Sequence, residues 1–334
     1  MVDTITVQVK LNYEGDISLK NRIKYKEVNL EAKPYNKGQH QVGIYAGKIK
    51  KMGVWFNSVK GYVLITFNPN KLLERNVDEH DVKFIERSIL EFLSSELKIG
   101  FKDVEQFTLN RIDYKVDCRL NNEEEKQIVY NLMKIATNRF NNIVKVATKT
   151  SIRYNPANGY VEFITYDKQH EVIDKGYFYG TEEEFLKKYK NVIRSEVRIK
   201  NRKLNYNKKR FGIAKDLINY LSNDMANFYF TSYATKIWFT EPFFRIDVAI
   251  NKIKSDGNLS LSMKEKLCKF IENIHFLGFS TAQKLYDKTY SSVTFRNHIK
   301  KIRRLGINPL TFDRNYSIEK LENFSLRECD LKWK

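Results

Sequence analysis

The chain has 334 residues, a 42% hydrophobic and 13% aromatic composition, and a formal net charge of +19 from 59 Lys and Arg against 40 Asp and Glu. That length allows two domains and a sizeable core. The basicity is spread along the chain and points to a polyanionic partner, most often nucleic acid, though a Lys- and Asn-rich composition set by an AT-rich genome supplies the bland account of part of it. Cys118, Cys268 and Cys329 are isolated, which argues against a disulfide framework or a thiolate zinc site. No apolar run is long enough to span a bilayer and the N-terminus reads as a strand. The expectation is a cytoplasmic protein with no membrane partner.

The first part reads as β-rich. Strands are expected in TITVQVKL (Thr4 to Leu11), RIKYKEVNL (Arg22 to Leu30), QVGIYAG (Gln41 to Gly47), MGVWFNS (Met52 to Ser58) and GYVLITFNP (Gly61 to Pro69), punctuated by Gly, Asn and Pro. The spacing of Val82, Ile85, Ile89, Phe92, Leu93 and Leu97 predicts a helix over about Asp78 to Ile99. A strand, TLNRIDYKVD (Thr108 to Asp117), follows. Strict alternation puts Leu109, Arg111, Asp113, Lys115 and Asp117 on one face and Asn110, Ile112, Tyr114 and Val116 on the other.

A helix with an acidic first turn is expected from Asn122, with Ile128, Leu132 and Ile135 inward. Ser151 to Gly176 reads as two or three strands, with PANG (Pro156 to Gly159) as a turn. TEEEFLKKYK (Thr181 to Lys190) reads as a short helix and NVIRSEVRIK (Asn191 to Lys200) as a strand, leading into the very basic NRKLNYNKKRF. From Lys209 the pattern turns helical, first in GIAKDLINYLS (Gly212 to Ser222) and DMANFYFTSYATKIWF (Asp224 to Phe239). A polar linker is expected at Lys254 to Ser262. Three short helices end the chain, starting at Met263, Ser280 and Ser291. FFRIDVAI near Asp247 echoes NRIDYKVD, an echo treated as chance.

The expected class is α+β, a largely antiparallel central sheet with helices packed on one side, followed by a helical C-terminal DNA-binding region. The expected division is an α+β domain over 1–208, a helical connection over 209–253 and a helical domain resembling a helix-turn-helix over 254–334.

Three segments carry charge on a single strand face: Arg111 and Asp113; Tyr166, Lys168 and His170; and Arg194, Glu196, Arg198 and Lys200. Brought together on adjacent strands, they offer carboxylates for a hard divalent cation, cations for a phosphate and a phenol as nucleophile, the requirements of phosphodiester chemistry.

On NRID (Asn110 to Asp113), YDKQHE (Tyr166 to Glu171) and RSEVRIK (Arg194 to Lys200), in that order and spacing, the chain resembles the rolling-circle replication initiators of filamentous phages and plasmids, the gene II/X type. More distantly it resembles the trans-type plasmid initiators. MVDTITVQVK and GYVLITFNPNKLLERN extend the likeness over most of the chain. The resemblance implies a nicking core of the HUH-endonuclease, RRM-like kind. It also implies metal-dependent, site-specific nicking and rejoining of one origin strand through a 5′-phosphotyrosine. The expected partners are origin DNA, a host helicase and a single-strand-binding protein, and the expected cofactor is Mg²⁺ or Mn²⁺.

No H-x-H pair is present, so Asp113, Glu171 and Glu196 are the expected metal ligands, with His170 ranked below them. Tyr166 is the preferred nucleophile, with Lys168 beside it, and Tyr206 the alternative because it follows the Glu196 strand among cations. The bland readings are a core aromatic for Tyr166 and a base-stacking aromatic for Tyr206. Arg111, Arg194, Arg198 and Lys200 are expected on DNA, as are Arg202, Lys203, Lys208, Lys209 and Arg210, where an interleaved aromatic suits a single strand. In the last helix Thr294, Arg296 and Asn297 are expected to read bases, with Lys300, Lys301, Arg303 and Arg304 alongside. The competing readings are an origin-binding protein that cuts nothing and a conjugative relaxase with the same chemistry.

Overall fold

The computed structural model describes residues 2–33, 43–75, 77–136, 144–148, 150–154, 159–176 and 181–325. In chain order the elements begin β1 (Val2–Leu11), α1 (Tyr13–Lys24), β2 (Glu31–Ala32), β3 (Ile44–Ile49), β4 (Met52–Asn57), β5 (Tyr62–Phe67), α2 (Pro69–Leu72), α3 (Val82–Glu96) and β6 (Val104–Arg119). They continue with α4 (Glu123–Ala136), β7 (Val144–Thr148), β8 (Ser151–Tyr154), β9 (Val161–Asp167), α5 (Lys168–Lys175), α6 (Glu182–Lys188), β10 (Val192–Lys200) and α7 (Asn201–Phe211). The last are α8 (Leu217–Tyr220), α9 (Asn223–Trp238), β11 (Phe243–Phe244), α10 (Ile246–Ser255), α11 (Leu261–Leu277), α12 (Phe279–Thr289), α13 (Ser292–Arg304) and β12 (Lys320–Leu321). The class is α+β with a large antiparallel sheet. None of the described helices is long and apolar enough to cross a membrane.

The chain divides into two compact units, Met1–Lys115 with Arg198–Tyr229, and Val116–Val197 with Phe230–Lys332. These bounds differ from the expected breaks at 208/209 and 253/254: the C-terminal helices cluster with β7 to β9 instead of standing alone. Long strands are the physical reason. β6 and β10 each pass from one unit to the other, so no composition-based linker marks the division.

In the first unit the strand order is β2-β3-β4-β5-β1-β6, and β1 pairs antiparallel with β5 and β6. Its core takes Ile5, Val7 and Val9 of β1, Phe56 of β4, Val63 and Ile65 of β5, and Ile85, Ile89 and Leu93 of α3, all buried. In the second unit the order is β10-β9-β8-β7. Its core includes Ile128 and Leu132 of α4, Phe163 of β9, Val197 of β10, Trp238 of α9 and Phe270 of α11.

Several expected strands and helices fold otherwise, each for a local reason. Arg22 to Leu30 is the end of α1 and a turn, not a strand. Asn12 caps α1 by accepting from Gly15 N at 2.8 Å, Glu14 and Asp16 lie in its first turn and Arg22 and Lys24 in its last, the charge order a helix dipole favours. Lys168 to Lys175 is helical because Asp167 ends β9 and caps α5, accepting from His170 N at 3.0 Å, and Gly176 closes it with φ 59°. PANG falls on residues of which 156–158 lie outside the described ones. In Gly212 to Ser222 only α8 is helical, capped by Asp216. The expected linker narrows to the residues between α10 and α11, and α12 opens at Gly278, not at a serine.

Among the described residues, six non-glycine residues hold left-handed φ between 50° and 59°: Lys26, Lys50, Glu74, Lys98, Asn191 and Phe239. Gly43 sits at φ 104°, and a Cβ there would stand 2.4 Å from Ser58 Oγ, so glycine is required at that turn.

Candidate functional site

In the first unit the charged side chains of β6 are organised by a bulge. The register of β1 against β6 shifts between Thr6↔Arg111 and Val7↔Leu109, so Asn110 is an extra residue. Parity flips there, and Leu109 is buried like Ile112 and Tyr114 instead of joining the charged face as strict alternation predicts. Beyond the bulge Arg111 forks onto Asp113, with Nε 2.8 Å from Oδ1 and a second short hydrogen bond from Nη2 to Oδ2. Arg198 of β10 donates to the same carboxylate at 3.0 Å. Asp113 is 1% exposed, so one buried carboxylate is answered by two guanidinium groups.

β10 runs straight into α7, where Lys200 is the N-cap and offers no side-chain cap bond. Leu204 and Asn207 face inward, Asn207 donating to Tyr220 Oη at 2.8 Å. The opposite side exposes Arg202, Lys208, Lys209 and Arg210. Tyr206 is 44% exposed, with Lys203 Nζ 4.5 Å from its ring centroid and Phe211 edge-on at 5.9 Å. Lys215 reaches Asn201 Oδ1 at 2.6 Å. Burial, then the charge of Lys208, lowers its pKa.

In the second unit Tyr166, near the end of β9, donates its hydroxyl to Glu196 Oε1 at 2.6 Å. Burial, then the Glu196 charge, pushes the Tyr166 phenol far above its ordinary pKa, against a lowering pull from Arg194. Arg194 is 5% exposed and forked on Asp117, Nε to Oδ1 at 2.5 Å and Nη2 to Oδ2 at 2.7 Å. Its guanidinium is buried in that pairing. Asp117 belongs to the strand expected from sequence, which assigns it no partner. Its place two residues beyond Lys115, in register with a charged strand, is the only sequence signal for that fork.

Because α5 begins at Lys168, the expected shared strand face of Tyr166, Lys168 and His170 does not exist. Lys168 Nζ lies 5.9 Å from the Tyr166 ring and 5.6 Å from that of Tyr189, and it hydrogen-bonds Glu171. Lys175 binds the other oxygen of Glu171. Burial raises the Glu171 pKa, but the hydrogen bonds from Lys168 and Lys175 and their charges outweigh it and hold the carboxyl below its usual range. His170 sits half-exposed on the helix beside Asp174, Nε2 to Oδ2 3.7 Å. Asp167, missed from sequence, is 3% exposed. It accepts from the Tyr130 hydroxyl and has Lys126 Nζ at 3.6 Å.

Asp113 belongs to the first unit, Glu171, Glu196 and His170 to the second. Among the described residues no three His, Cys, Asp or Glu side chains gather as metal ligands, and Asp113 and Glu171 are each neutralised by two cationic side chains.

In α13 the expected base readers separate. Thr294 is half-buried and its hydroxyl pairs with Ser291 Oγ at 3.0 Å, whereas Arg296 and Asn297 are exposed. Lys300 and Arg304 are exposed too. Lys301 contacts Met263 Sδ at 3.4 Å, and Arg303 donates to both oxygens of Glu241 at 2.9 Å, so these two are engaged inside the unit. Compared with known proteins, the chain matches no family model and no curated protein.

Proposed function

We propose that the chain is a DNA strand transferase of the rolling-circle initiator kind, nicking one strand and rejoining it through a phosphotyrosine, with Tyr206 as the nucleophile. The observation that carries this reading is the exposed phenol of Tyr206 on a helix whose exposed side holds Arg202, Lys208, Lys209 and Arg210, with Lys203 over its ring. A tyrosine that attacks DNA must be reachable by a phosphodiester, and cations beside it stabilise both the phosphate and the phenolate. Tyr166 offers the reverse: its hydroxyl is committed to Glu196 and its environment disfavours ionisation. It suits a positioning role for Glu196.

In the proposed step the Tyr206 oxygen attacks phosphorus in line and its proton passes to solvent. The P–O3′ bond breaks, the 3′ oxygen takes up a proton, and the 5′ phosphate stays on the tyrosine. Rejoining is the same displacement reversed, with the 3′ hydroxyl attacking the phosphotyrosine. The bond energy is conserved in the ester, so no nucleotide triphosphate is consumed. The cations of α7 hold the non-bridging oxygens, a contribution that strengthens as charge builds on them in the transition state.

A second reading, binding without cutting, is favoured by the neutralised carboxylates: Asp113 under Arg111 and Arg198, Glu171 under Lys168 and Lys175. A labelled single-stranded origin-like oligonucleotide, incubated with the protein and Mg²⁺, Mn²⁺ or EDTA and resolved under denaturing conditions, decides between them. The nicking reading expects a covalent adduct that Tyr206→Phe abolishes and Tyr166→Phe retains. An adduct lost only in Tyr166→Phe restores the sequence-based preference. No adduct in any arm with a cognate origin leaves the binding reading.

A further inference from the structure

The exposed face of α13 carries a charge pattern that the proposed strand transfer does not use. We infer that this face binds duplex DNA in the major groove, as the second helix of a helix-turn-helix formed by α12 and α13. The inference goes beyond the nicking reading, since it concerns other residues and a different form of DNA.

Three rings lock α13 in place. Phe270 of α11 lies edge-on to both Tyr286 of α12 and Phe295 of α13, each at 5.0 Å between centroids, and Phe279 of α12 meets Phe295 at 5.3 Å. Only Tyr290 and Ser291 separate α12 from α13. Ser291 caps α13, accepting from Thr294 N at 3.1 Å, which fixes where the helix starts. Phe295, His298 and Ile302 form the buried side.

At 100° per residue the remaining arc holds Ser292, Val293, Arg296, Asn297, Lys300 and Arg304. All six are exposed. α13 contains no acidic residue. Arg296, Lys300 and Arg304 recur at four-residue intervals, a ridge of positive charge with a rise of about 6 Å per step. The engaged cations, Lys301 on Met263 and Arg303 on Glu241, lie off this ridge.

A B-form major groove, roughly 12 Å wide, admits one helix, whereas the A-form groove of duplex RNA is too narrow for it. Arg296 and Asn297, on the N-terminal half of the helix, have the donor geometry for guanine and adenine edges. Lys300 and Arg304 follow as phosphate contacts. No aromatic side chain lies on the arc, so the stacking that single strands require is absent there.

The test is fluorescence anisotropy of the full chain on a mixed-sequence DNA duplex, the matching single strand and an RNA duplex, each over a salt series. Replacing Arg296, Lys300 and Arg304 together by Gln is expected to lower the salt slope of duplex DNA binding by about 1.8, which is about 0.9 for each of the two phosphates that Lys300 and Arg304 no longer neutralise. Single-strand affinity is expected to stay within about twofold, because the stacking and electrostatic contacts of α7 are untouched. Circular dichroism confirms that these surface changes leave the fold intact, and single replacements of Lys300 and Arg304, each expected to lower the slope by about 0.9, serve if the triple variant does not fold. An unchanged slope overturns the inference, and so does an equal loss on duplex RNA. Tyr206→Phe is expected to leave the slope as it is, and the triple variant to keep the covalent adduct on single strands, so the two proposals fail separately.

Discussion

Asp113 is a single carboxylate held between Arg111 and Arg198 and almost fully buried. Removing its charge leaves two guanidinium groups facing a neutral amide in a desolvated place. Asp113→Asn is therefore expected to cost about 3 kcal/mol of stability, the range for breaking one side of a buried pair. Urea unfolding reads this as a lower midpoint at unchanged slope. His298 makes the opposite kind of statement. Its Nδ1 is buried with no hydrogen-bond partner among the described residues, against the rings of Phe270 and Tyr286. Burial, then the charges of Lys301 and Lys266, lowers its pKa from the ordinary value. The unfolded chain thus binds the proton at higher pH than the folded one, and stability falls as pH drops below the unfolded value of about 6.5. Thermal melting is expected to show a lower midpoint at about pH 5.5 than at 7.5, and His298→Leu to flatten that window. Both residues are visible in the sequence, but their partners are not, because a charge's partner is a fact of packing.

Single elements decide where sequence reading succeeds. The 3.6-residue spacing in α3 and α4 is legible because one face of each is buried and the other is not, whereas the first six residues of β10 are buried on both faces. YDKQHE misleads because a strand of seven residues passes directly into a helix, and Asp167 serves as the last residue of one and the cap of the other. The bulge at Asn110 is likewise silent in the sequence, since any residue can be the extra one. The echo RID also separates by element. In β6 and at the start of α10 the same tripeptide makes the same Arg-to-Asp fork, Arg111 to Asp113 and Arg245 to Asp247, on two different backbones. At this scale the cap of α13 is testable. Ser291→Ala is expected to lower stability by about 1 kcal/mol, read by thermal melting, and to leave single-strand binding unaltered.

A net charge of +19 in 334 residues acts on the molecule as a whole. Like charges repel across the folded surface, and salt screens them over about 10 Å at 0.1 M. The melting temperature is expected to rise between about 20 and 200 mM salt, while affinity for any nucleic acid falls over the same range. A protein stabilised by surface ion pairs would show the opposite trend in melting. The α+β class can be read from the order of patterned segments. The division into two units cannot, because strands β6 and β10 carry residues of both and no Gly-, Pro- or Ser-rich stretch announces a boundary.

The left-handed residues have a use in protein engineering. Lys26, Lys50 and Lys98 each occupy a backbone region that costs a side-chain-bearing residue about 1 kcal/mol and costs glycine almost nothing. Lys50 is paired with Glu96, whereas Lys26 and Lys98 also belong to the excess of cations that makes the chain repel itself. Exchanging Lys26 and Lys98 for glycine therefore relieves local strain and global charge with the same two substitutions, at positions outside α7 and α13. Such a variant offers a sturdier scaffold on which the activity and binding assays can be run.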